Sequence, residues 1–418
     1  MSVRIKRFGM LLLLLVVMSL LVQTSPVHAQ GSRLTSVLPS QRMLNRYGLE
    51  RAWWSQATID PQRDRVRYIT VDEELLYIQT RLGMVSAFEN ETGKLLWSAL
   101  LGRPDDPSFP IALNENVALV VAGLDIFAVE KFTGKVLWKL RTPGSPSTSP
   151  TVDKKQVYLG FLDGSLYAID LKKVRELYAE RRLPAWSFQA VAWRYATGKE
   201  VTTPAITNGT VVNFASRDGS LYTVSASERE LLFQFETDAP VSAPLAASKR
   251  FLFLASEDFN FYCLDRVNGR VSWEFISGLP VRIQPRIIGE QVFLMPVRGG
   301  IYCLSVKSGK QLWWRPEASE FLAATPKMIY ASDRFGNVVL LSRKDGSVQG
   351  ALPLQKFQVR LANDRTDRLY LATQDGLVIC IHEKTREFPI YHLHPDRRPI
   401  VPEFAPEEAP QTEEANSE

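Results

Sequence analysis

Few residue types in this 418-residue chain could do chemistry: three cysteines, four histidines, a few paired acids and a late group of cations. Cys263, Cys303 and Cys380 come first, because a thiolate can attack, oxidise or bind zinc. Their setting argues for packing instead. They lie in the matching segments Asn260-Phe-Tyr-Cys-Leu, Gly300-Ile-Tyr-Cys-Leu and Gly376-Leu-Val-Ile-Cys-Ile, where sibling segments carry Ala87, Ala128, Ala168, Thr223 and Leu340. A slot that accepts alanine or leucine is an interior position, so buried free thiols are expected, about 10 Å apart between neighbouring sheets and too far for a disulfide.

The histidines, His28, His382, His392 and His394, form no general-base constellation, and His392-Leu-His394 does not make a metal site. Asp105-Asp106 and Glu257-Asp258 read as solvated turns, and there is no Gly-x-Ser-x-Gly elbow for a hydrolase. No catalytic, cofactor-binding or metal-ligating residue is therefore assigned. The cations differ. Arg286, Lys327 and Arg360 occupy a position near the start of three successive late repeats where earlier repeats carry Ile111, Thr151, Ala205 and Leu245. Arg217, Arg298 and Arg334 lie in turns expected at the same face, so these six are the candidate site for an anionic partner.

The elements that position them come from an internal repeat. A strand-like segment after a turn recurs eight times, anchored at Val85, Ile126, Leu166, Leu221, Phe261, Ile301, Val338 and Val378. The steps are 41, 40, 55, 40, 40, 37 and 40 residues. A second landmark follows: Thr92-Gly-Lys-Leu-Leu-Trp97, Thr133-Gly-Lys-Val-Leu-Trp138, Asn268-Gly-Arg-Val-Ser-Trp273 and Ser308-Gly-Lys-Gln-Leu-Trp313, with Trp193, Phe233 and Gly350 in the same slot elsewhere. Glycine supplies the positive φ of a tight turn, and tryptophan offers a broad surface to a neighbour. A third landmark, Ser149-Pro150, Thr203-Pro204, Ala243-Pro244, Gln284-Pro285 and Thr325-Pro326, is read as opening the next unit.

Four short strands per unit of about 40 residues predict an all-β, eight-bladed β-propeller of four-stranded antiparallel blades over residues 50–395. The long step holds Leu171 to Pro184, where Leu171, Val174, Leu177 and Tyr178 predict a helical insertion in blade three, ended by Pro184. A short helix is expected at Ser40–Arg46 within a leader of residues 30–49. The segment Arg51-Ala-Trp53-Trp54-Ser-Gln resembles an outermost strand without its own predecessors, so it is expected to close the last blade.

The pattern Gly-x-Leu-Tyr-Ala-Ile-Asp, Thr-Gly-Lys-x-Leu-Trp and Ser-Pro resembles the repeat of the PQQ-like (quinoprotein-type) β-propellers. Among them the chain is similar to the outer-membrane assembly factor BamB and BamB-like repeat proteins. The resemblance implies a non-catalytic scaffold for protein partners in the cell envelope, with a role in outer-membrane protein assembly. The alternatives are a PQQ-dependent oxidoreductase with Ca²⁺ and a carbohydrate- or polyanion-binding propeller. The adjacent cysteines of several quinoprotein dehydrogenases are missing here, so neither PQQ nor Ca²⁺ is expected.

Net charge agrees with partners other than nucleic acid. Residues 1–29 combine a basic start, an apolar run from Phe8 to Val22 and Val27-His28-Ala29, the pattern of a cleaved secretory signal. The run is shorter than the roughly 20 residues a membrane span needs. Periplasmic or envelope localisation and a monomer without a transmembrane segment are expected. Lipid anchoring is not, since no cysteine precedes Cys263. Losing Arg4, Lys6 and Arg7 takes the formal charge from +5 to +2; residues 396–418 are expected to be a disordered acidic tail, whose stretch from Glu403 to Glu418 holds six Glu and no Lys or Arg. Without that stretch the propeller body carries +8; export, a mature charge of only +2 and the lack of an interleaved basic-aromatic run argue against nucleic acid.

Overall fold

A computed structural model describes residues 37–104 and 106–393 of the chain. Two units divide it, Met1–Ser40 and Gln41–Glu418, and every sheet lies in the second. The leader 1–29 and the tail 396–418 fall outside the described residues.

Eight four-stranded antiparallel sheets follow one another as blades. The first seven span 66–100, 112–141, 151–196, 206–236, 246–276, 286–315 and 318–352. In each, the strands pair in chain order from inner to outer. The eighth takes Val359–Arg360, Leu369–Ala372 and Leu377–Glu383 from the C-terminal end and its outer strand, Leu49–Gln56, from the N-terminal end. Trp53 there faces Cys380 and Trp54 faces Ile379.

Burial follows the order of the strands. Second and third strands are covered on both faces and read as continuous apolar runs, as in Leu75–Thr80, where every residue is buried. Outer strands alternate, as in Leu231–Glu236, because one face meets solvent. The slot seen in the sequence is now explained. Ala87, Ala128 and Ala168 lie directly opposite Trp97, Trp138 and Trp193, and Cys263 and Cys303 lie opposite Trp273 and Trp313. A small side chain leaves room for the indole beside it. All three thiols are buried and free, and desolvation pushes each up to about 12, well above a reactive thiol.

Five outer-strand indoles also reach into the next blade. Trp53, Trp97, Trp193, Trp273 and Trp313 donate Nε1–H to the carbonyls of Asn90, Lys131, Ala226, Val306 and Arg343, at 2.7 to 3.1 Å. Four of these rings, and Phe233, lie against a turn glycine of that blade. A Cβ at Gly134 (φ +72°) would stand 2.5 Å from the Trp97 ring, so the site excludes side chains on two counts. Blade seven carries Gly350 in the slot, and the Tyr47 ring, from the turn ahead of the closing strand, covers it instead.

Helix α1 spans Gln41–Asn45. Helix α2 spans Leu171–Ala179, between the third and fourth strands of blade three. Asp170 caps it, its carboxylate accepting from the Lys172 and Lys173 amides, and Leu171, Val174 and Leu177 are buried. Tyr178, on the same face, is about half exposed. One expectation needs correction: the helix stops at Ala179, before Pro184. Its end is set by Arg181 at φ +56° and by the Arg182 amide returning to the Leu177 carbonyl.

Candidate functional site

In a propeller, turns joining second and third strands open on one face and those joining first to second and third to fourth open on the other. Arg217, Arg298 and Arg334 occupy second-to-third turns of blades four, six and seven, all exposed. Arg217 is held by Glu200 at 2.7 Å, and the Arg334 guanidinium lies over the Phe335 ring at 4.8 Å. Arg286 opens the inner strand of blade six, but its charge is spent inward on Asp364 at 2.9 Å. Arg360, on the inner strand of blade eight, is half-buried and donates to the carbonyls of Phe357 and Gly336.

Lys327 departs from the expectation. The inner strand of blade seven is Ala318–Ala324, so Thr325-Pro326-Lys327 forms the turn after it, on the opposite face from Arg298 and Arg334. This strand follows its predecessor after only a short turn, which explains the 37-residue step and moves the Thr-Pro pair off its usual place. The six candidates are therefore not one cluster.

Arg360 instead joins a group the sequence reading missed. Arg67 begins the inner strand of blade one, Arg63 and Arg65 lead into it, and Arg81 sits in the second-to-third turn of the same blade. Two depressions of about 640 and 500 Å³ are lined by Arg67, Arg81 and Arg360 with Glu320, and by Arg63, Arg65, Arg67 and Arg81 with Asp106. Five arginines from blades one and eight thus line these depressions with two acids, Glu320 of blade seven and Asp106 of the link between blades one and two. The buried Asp64 carboxylate builds the approach, accepting from the Arg65 and Leu82 amides at 2.7 and 3.1 Å, while the Arg81 amide bonds to the Arg65 carbonyl at 2.9 Å. The clue in the sequence is Arg63-Asp-Arg65-Val-Arg67, basic residues at every second position leading into a strand.

Planar guanidinium groups suit carboxylates and phosphates. Among the described residues Arg63 pairs only with the exposed Asp60, at 3.9 Å, so its charge stays available to a ligand. The surroundings do not fit a quinone-with-calcium site held by paired thiols and carboxylates. The three cysteines stand in separate blades against tryptophans, and no group of three or more His, Cys, Asp or Glu among the described residues could hold a metal ion.

Eight four-stranded blades clasped by indoles across successive repeats define the chain as a β-propeller of the PQQ-like type. The family model described as outer membrane protein assembly factor BamB matches residues 81–228 and 217–388, and the chain belongs to that family. BamB from Moraxella catarrhalis is similar in structure, with a TM-score of 0.64 at 15% identity over 80% of this chain and 99% of that one. The computationally designed Ika8 protein is also similar, with a TM-score of 0.61 at 14% identity over 77% of this chain and 96% of that one. At such identities the likeness is one of fold. No curated protein matches the sequence.

Proposed function

We propose that this chain is a non-catalytic scaffold of the cell envelope that serves outer-membrane protein assembly by presenting its arginine mouth to an acidic protein partner. The gathering of Arg63, Arg65, Arg67, Arg81 and Arg360 at one mouth carries the reading. Family membership supports the assembly role, and the leader-like residues 1–29 support export. Clustered cations focus potential outward and speed encounter with an anionic surface, an effect screened beyond a Debye length of about 8 Å at physiological salt. No cofactor is part of this reading.

The test is affinity capture of partners from envelope extracts by the mature protein and by the triple variant Arg63→Glu, Arg67→Glu, Arg81→Glu. Outer-membrane assembly components should co-purify with the wild type and drop about tenfold or more with the variant or in high salt. Capture unaffected by the reversal removes the arginine mouth. A melting temperature raised by PQQ with Ca²⁺ would move the reading to the quinoprotein class.

A further inference from the structure

Trp138 shares the outer-strand slot of the five hydrogen-bonded indoles, yet its N–H has no acceptor among the described residues. The acceptor elsewhere is the carbonyl of the residue just after the next blade's third strand, as Lys131 follows Asp125–Glu130. Its counterpart here is Leu171, which opens α2 and turns its carbonyl into the helix's own ladder. The glycine turn that would cover the ring is gone as well, replaced by the insertion. The indole is 5% exposed and lines a cavity of about 1070 Å³.

The walls of this cavity are first-to-second-strand turns of blades two, three and four, closed on one side by α2. Leu113, Leu119, Leu137 and Val152 give it an apolar floor beside Trp138. Tyr178, seven residues after Leu171 and on the same helical stripe, is half exposed because it faces this space. The rim is cationic. Lys154 is paired with Glu115 at 3.4 Å, and the Asp153 carboxylate is engaged by the Lys155 and Gln156 amides and the Tyr158 hydroxyl. Lys155 and Arg175 have no carboxylate partner among the described residues.

We propose that this cavity binds a small amphipathic anion, with an apolar or aromatic body on the floor, an acceptor atom on the Trp138 N–H and an acidic head toward Lys155 and Arg175. Its volume is that of a small-molecule site, and an apolar wall with a few convergent polar groups is the usual composition of one. This site lies on the opposite face from the arginine mouth and is independent of it.

The probe is 1-anilinonaphthalene-8-sulfonate, titrated into the folded full-length protein with fluorescence and melting read together. Saturable binding with one equivalent and a raised melting temperature are expected. Dodecanoate and 2-naphthoate as competitors separate an acyl from an aromatic ligand. Trp138→Phe keeps a ring but removes the donor and should weaken binding about 2- to 10-fold. Lys155→Glu with Arg175→Glu, both exposed changes compatible with folding, should weaken the anionic probe about tenfold while leaving the neutral N-phenyl-1-naphthylamine unaffected. Leu113→Trp, which fills the floor, should abolish both. Absence of saturable binding, or binding that none of these variants alters in a protein of normal melting temperature, overturns the proposal.

Discussion

The junction of blades one and two and that of blades two and three start from the same residue in the same slot and end differently. Trp97 lies on Gly134 and donates to Lys131. Beside it Lys131 is buried between Asp72 at 2.7 Å and Glu74 at 2.5 Å, tying the turn of one blade to that of the next. Trp138 meets a helix where the glycine turn should be, and the junction keeps a cavity. A repeat protein can thus hold its frame by one contact used many times and open a cavity where an insertion replaces that contact.

The comparison can be broken at several levels. The largest effect is expected from Lys131→Met, which strands a buried Asp72 carboxylate. Urea melts should show a loss of about 3–5 kcal/mol, and a loss under about 1 kcal/mol would mean that the ion pairs contribute little to the closed junction. Next is the paired test of Trp97→Phe and Trp138→Phe. Both lose some indole area, but only the first leaves a buried carbonyl, that of Lys131, without its donor, an extra cost of about 1–3 kcal/mol. Equal losses would show that the two junctions are alike. The smallest change is expected from thiol labelling. Cys263, Cys303 and Cys380 lie under docked indoles with thiols raised to about 12, so alkylation at pH 8 in the native state should be negligible and should appear only on unfolding.

Much of the frame was legible because its signals are local. Gly-Lys-x-Leu-Trp states a turn and a docking ring within five residues, and the eight copies of the strand-like segment fix the blade count. The cysteine slot was legible for the same reason, since Ala87 or Ala168 in sibling positions reports the space available. What was hidden depends on contacts between distant segments. Tyr47 replaces a missing tryptophan over Gly350, and nothing near Gly350 in sequence says so. Lys327 was misplaced because a shortened link slid one Thr-Pro pair from the start of a strand to its end. The site was the least legible part. Arg286 is paired with Asp364 from blade eight, and Arg360 has its companions in blade one, nearly three hundred residues earlier.

The shared eighth blade carries a consequence for biosynthesis. Gln56 on the closing strand bonds to the Asp375 carbonyl, 319 positions away, so the first strand made must wait for the last. Contacts of that span close slowly. A chain interrupted before Leu377 lacks the strand that receives the first, and its ring stays open with unpaired backbone at the gap. Possession of both terminal strands is thereby written into the fold: a product lacking either Leu49–Gln56 or Leu377–Glu383 cannot hide both ends of its sheet array and stays recognisable to proteases and chaperones.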